Sequence, residues 1–180
     1  PCGRGGGGVS VLSDRQLLRL RPALTPGPAS LDLHLGDTLL MSRSSTVIDP
    51  ERDQSSDWIP VPRDPDGRWR LRRHRPYLGV TAESISVDTH HVGLLHGVSS
   101  LGRLFLLIHI TAGLVDPGWS GRLTLELFSL SGPILLRPGQ RIGQLTLHEL
   151  ASECLYPYSG KYRDDFDPVP SRMFLEAPRA

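Results

Sequence analysis

Lysine is all but missing from this chain of 180 residues: of 20 basic side chains only Lys161 is a lysine, and the others are arginine. The formal net charge is +1, so no global field draws in nucleic acid or an anionic membrane. Cysteine is nearly as scarce. Cys2 and Cys154 stand without a CxxC pair, which argues against a disulfide framework and makes a reducing cytoplasm the expected setting. Long apolar runs are absent too, and the N-terminal stretch has no secretory core, so a soluble protein without a membrane partner is expected.

Turn formers, by contrast, are plentiful. With 19 glycines and 16 prolines, many short elements joined by turns are expected rather than a helical bundle. The length fits one domain. The glycine-rich residues 1–8 are expected to form a flexible N-terminal segment, residues 9–156 a β domain, and residues 157–180 a polar, proline-containing arm that orders on a partner subunit or a ligand.

Ser13 and Gln16 have capping-box spacing ahead of Leu17, Leu18 and Leu20, so a short helix is predicted from Asp14 to just before Pro22. Leu31, Leu33 and Leu35 alternate with Asp32 and His34 as a half-buried strand. Residues 42–57 read as a surface loop, and Asp66-Gly67 as a hairpin turn between strands at 58–61 and 69–71. Further strands are predicted at 77–81, 91–95, 104–110, 123–128, 134–136 and 142–150, which together argue for a sandwich or barrel. The clustered Arg68, Arg70, Arg72, Arg73 and Arg75 read as the solvated face of a strand rather than a nucleic-acid surface.

Chemistry concentrates between Ser99 and Leu127. The run Ser99-Ser100-Leu101-Gly102-Arg103 precedes Thr111-Ala112-Gly113-Leu114-Val115-Asp116-Pro117-Gly118-Trp119-Ser120-Gly121, and Leu125-Glu126-Leu127 follows. Period-two alternation turns Leu123, Leu125 and Leu127 to one face, with Thr124 and Glu126 on the other. Taken singly, each residue has an ordinary reading: Glu126 on the solvent side of a strand, Arg103 as a partner for some carboxylate, Asp116 as a turn residue before Pro-Gly.

The ordered combination resembles dCTP deaminase of the trimeric dUTPase superfamily. The resemblance extends to Leu12-Ser13-Asp14-Arg15, Pro28-Ala29-Ser30-Leu31-Asp32, Arg137-Pro138-Gly139, Ile142-Gly143-Gln144-Leu145, and a tail with Tyr158, Lys161-Tyr162 and Ser171-Arg172. It implies a mainly β, dUTPase-like distorted β-barrel with a short N-terminal helix, assembled as a homotrimer with sites at subunit interfaces. It implies hydrolytic deamination of a deoxycytidine nucleotide, by default dCTP to dUTP. Gly113 and Gln144 resemble the group that continues to dUMP and diphosphate.

By the same resemblance, Glu126 is the general base and acid, Arg103 supports that chemistry, and Ser99 hydrogen-bonds near the attacking water, which the Ala112 carbonyl helps hold. Asp116 accepts from the 3′-hydroxyl, while Tyr158 and Lys161 close over the triphosphate. Ser100, Leu101, Gly102, Thr124, Leu125, Gln144 and Asp165 complete the expected substrate contacts. Magnesium rides on the nucleotide phosphates. No H-x-E and P-C-x-x-C zinc signature is present, so no zinc is expected at the base.

Two positions depart from the family pattern. Val98 stands where the family carries Arg or Lys, and Asp165 where it carries glutamine. One exposed charge contact is worth about 1 kcal/mol and a desolvated one several, so weaker triphosphate binding is expected. The alternatives are a dUTP diphosphatase, in which Asp116 orients water on the α-phosphate, and a catalytically silent nucleotide-binding trimer with a regulatory role.

Overall fold

The computed structural model describes residues 10–21, 23–43 and 47–176. The expected flexible segment 1–8, Cys2 and Pro22 lie outside the described residues. Helix α1 (Asp14–Leu20) starts where the capping box puts it: the Ser13 N–H donates to Gln16 Oε1 at 3.0 Å, and Leu17 is fully buried. Strands β1 (Leu31–Ser42), β2 (Trp58–Pro60), β3 (Trp69–Leu71), β4 (Pro76–Thr81), β5 (Ile85–Ser86) and β6 (His91–Gly97) follow. A single-turn helix α2 (Ser99–Gly102) precedes β7 (Leu106–Leu107), β8 (Leu114–Val115), β9 (Ser120–Gly121), β10 (Thr124–Ser129), β11 (Ile134–Leu136) and β12 (Arg141–Glu149).

The main sheet runs β7-β10-β4-β1-β12-β6-β8, with β2 on β1; β11–β3 and β5–β9 are separate pairs. All these ladders are antiparallel. Strand β1 bends the sheet: its first residues pair with β12 and its later ones with β4, with register breaks at Leu33/His34 and between Leu35 and Leu39. Such irregularities let a strand turn a corner and serve two sheet halves. Inside the curve lie the alternating leucines of β1, β10 and β12, among them Leu33, Leu35, Leu125, Leu127, Leu145 and Leu147. This is the distorted, barrel-like all-β architecture expected from the sequence.

Two local readings are corrected. The turn at Asp64–Gly67 forms, with the Gly67 N–H donating to Asp64 O at 2.9 Å, but its flanking strands do not pair with each other. Strand β2 joins β1 and β3 joins β11. Pro60, Pro62 and Pro65 lack the N–H donors that a β2–β3 ladder needs, whereas buried Trp69 and Leu71 pack into the core. The strand expected at 104–110 shrinks to Leu106–Leu107, because Phe105 adopts a left-handed backbone (φ 60°) that closes α2. As a result Leu104, Phe105, Leu107 and Ile110 face outward.

Within the arginine cluster Arg70, Arg72 and Arg73 are exposed, as expected of a solvated face, and three of the five side chains also bond back to the protein. Arg68 pairs with Asp64 and Asp66, Arg73 Nε donates to Leu130 O and Arg75 to Ser42 O. Among the described residues no helix is long and apolar enough to cross a membrane.

Candidate active site

The alternation read from the sequence holds along β10: Leu125 and Leu127 are fully buried, while Thr124 and Glu126 look the other way. That other face is not open solvent. Strand β10 lies between β4 and β7, and with the segment from Leu114 to Thr124 and the C-terminal tail it walls a cavity of about 530 Å³. Glu126 stands in the wall, its Oε2 accepting from the Ile110 N–H at 2.8 Å, which sets the carboxylate against the loop carrying Ala112.

Ala112, Asp116, Thr124, Glu126, Tyr158 and Asp165 all line this one cavity, so the structure gathers six of the expected contacts. Trp119 joins them; its ring lies 5.5 Å from that of Tyr158, and its buried Nε1–H has no acceptor among the described residues. The remaining expected residues lie elsewhere. Ser99, Ser100, Gly102 and Arg103 are exposed on α2, which begins directly after the Gly97–Gly143 pair. Gln144 stands opposite His96 one step along that ladder. Leu101 and Leu125 are core side chains.

The tail folds back on its own chain rather than reaching away from it. Its backbone crosses the 114–124 segment where two glycines make room: a Cβ on Gly118 (φ 87°) would lie 2.7 Å from Pro157 Cβ, and one on Gly121 (φ 132°) 2.8 Å from Asp165 O. The Tyr158 N–H donates to Pro117 O, the Arg122 N–H to Asp165 O, and the Val169 N–H to Thr124 Oγ1. Gly121→Ala adds a side chain to a left-handed residue under this crossing, at a strain of about 1–3 kcal/mol. Proteolytic cutting within 157–176 is expected to rise roughly tenfold, because releasing the tail relieves the contact with Asp165 O, and the melting temperature is expected to fall by a few degrees.

Asp165 has a partner that changes its expected effect. Arg172 grips it bidentately, Nη1 at 2.9 Å from Oδ2 and Nη2 at 3.1 Å from Oδ1, so the carboxylate enters the cavity wall already compensated. Lys161 does not line the cavity; it pairs with Glu176 and lies over the Tyr162 ring. Trp58, Arg122 and Val169 also line the cavity with no site role expected from the sequence, and so do Tyr162 and Ser171, which the resemblance gives only as tail residues. For Arg122 the signal was there, since it shares the parity of Thr124 and Glu126.

Residues 13–150 match the family described as dCTP deaminase-like. The chain belongs to that family. Among dCTP deaminase relatives, the dUMP-forming enzyme of Methanopyrus kandleri is 39% identical over 191 aligned positions, covering 93% of this chain and 98% of the relative. A dUMP-forming enzyme of Bifidobacterium longum is 36% identical, covering 94% and 97% respectively. The fold is shared with the 2′-deoxycytidine 5′-triphosphate deaminase of Agrobacterium tumefaciens, at a TM-score of 0.70 and 19% identity; the match covers 82% of this chain and half of that protein. Within this dCTP deaminase fold, the cavity around Glu126 is the candidate active site.

Proposed function

We propose that the protein removes the 4-amino group of dCTP by hydrolysis and carries the product on to dUMP and diphosphate. The observation that carries this reading is the Glu126 carboxylate, fixed by the Ile110 N–H in the wall of a cavity that also holds Ala112, Asp116 and Trp119. Glu126 takes a proton from water as the oxygen adds to C4 of the base and returns it to the ring nitrogen. A further proton transfer to the amino group lets ammonia leave as the C4 carbonyl forms. The Ala112 carbonyl holds the attacking water, and Asp116 accepts from the 3′-hydroxyl of the sugar.

The acting unit in this proposal is a homotrimer. Its support is the separation of the two halves of the site: the cavity holds the groups for base and sugar, while Ser99, Ser100, Gly102, Arg103 and Gln144 lie outside it. The outward-facing Leu104, Phe105, Leu107 and Ile110 beside α2 offer apolar surface for a second copy. That copy brings its α2 to the phosphates, with Arg103 supporting the chemistry at Glu126. Magnesium carried by the nucleotide phosphates neutralises part of their charge in this proposal.

The test is ammonia release with chromatographic identification of the product for dCTP, dCMP, CTP and dUTP, each with magnesium. Ammonia and dUMP from dCTP, with CTP a poor substrate, is the expected result. No ammonia from any cytosine nucleotide overturns the reading.

A further inference from the structure

Arg122 lines the cavity, yet no step of the deamination uses it. Buried Leu123 and Leu125 place it on the same face as Thr124 and Glu126. At about 3.3 Å per strand residue it is roughly 13 Å along the chain from Glu126, beyond the group that meets the base. Its main chain is pinned by the bond to Asp165 O at 2.8 Å.

The lining carboxylates leave its guanidinium without an ionic partner. Asp165 commits both oxygens to Arg172, and neither Asp116 nor Glu126 forms an ion pair with Arg122. Of the parts of a nucleotide, cytosine and deoxyribose are neutral, and only the phosphate chain carries the charge that a half-buried guanidinium fork matches. We propose that Arg122 is a phosphate-binding residue, gripping phosphoryl oxygens from the same chain that holds the base. This rests on the reading of the cavity as a nucleotide site.

Arg122→Ala and Arg122→Lys are compared with the unaltered full chain in two assays: deamination kinetics on deoxycytidine, dCMP and dCTP, and calorimetric binding of inorganic tripolyphosphate. For Arg122→Ala, KM for dCTP is expected to rise about 10- to 100-fold with little change in kcat, the effect shrinking with each phosphate removed. Tripolyphosphate affinity falls by a similar factor, and Arg122→Lys recovers part of both as a point charge without the fork. Equal losses on dCMP and dCTP, or unchanged tripolyphosphate affinity, overturn the proposal. If the unaltered protein deaminates nothing, the substrate reading fails by itself, and the tripolyphosphate comparison still decides the role of Arg122. Should Arg122→Ala melt early, Arg122→Gln, which keeps most of the stem packing, carries the same comparison.

Discussion

Glu126→Gln is expected to lower the rate of ammonia release from dCTP about 10²- to 10⁴-fold, the range over which a positioned acid-base group accelerates proton transfer. The substitution is nearly isosteric, and the amide oxygen can still accept from the Ile110 N–H that Oε2 now engages at 2.8 Å. The loop carrying Ala112 therefore keeps its place, and the buried Leu125 and Leu127 on either side are untouched. What is lost is the site that takes a proton from water and gives it back. The loss is expected in kcat with KM little changed, together with an unaltered melting temperature. Retained activity would remove Glu126 from the acid-base role.

Mixing two inactive variants is expected to restore activity. Arg103→Ala removes a cation exposed on α2, outside the cavity; Glu126→Gln removes the carboxylate within it. If a site takes Glu126 from one chain and Arg103 from a neighbour, an Arg103→Ala chain beside a Glu126→Gln chain contains one intact site. Random assembly of equal amounts then gives about a quarter of the unaltered activity, from proteins that each have almost none. Sites built within one chain give no recovery, because no chain then carries both residues. Co-refolding the variants and measuring ammonia release decides between these outcomes.

The departures at Val98 and Asp165 look different once neighbours are known. In sequence, Asp165 adds negative charge near a triphosphate. In the fold, the guanidinium of Arg172 stands on it, so the cost is offset within the tail itself. Val98 leaves a cation missing beside α2, where it packs against the core instead.

Much of the architecture is local and was therefore legible. The alternation around Glu126 has a period of two, which backbone geometry imposes on any strand, so the buried leucines and the opposite-facing Thr124 and Glu126 followed from residue order alone. The capping box of α1 is equally local. Sequence by itself also determined the family, through the ordered run from Ser99 to Leu127. The tertiary structure decided what no local pattern encodes: that Leu104 to Ile110 breaks its strand at left-handed Phe105, that β2 and β3 part company after a shared turn, and that the tail lies across Gly118 and Gly121. It also brought Trp58, Arg122 and Tyr162 to one cavity with Glu126. These depend on pairings between distant segments, whose energies come from burial and hydrogen bonds that exist only once the chain has closed on itself.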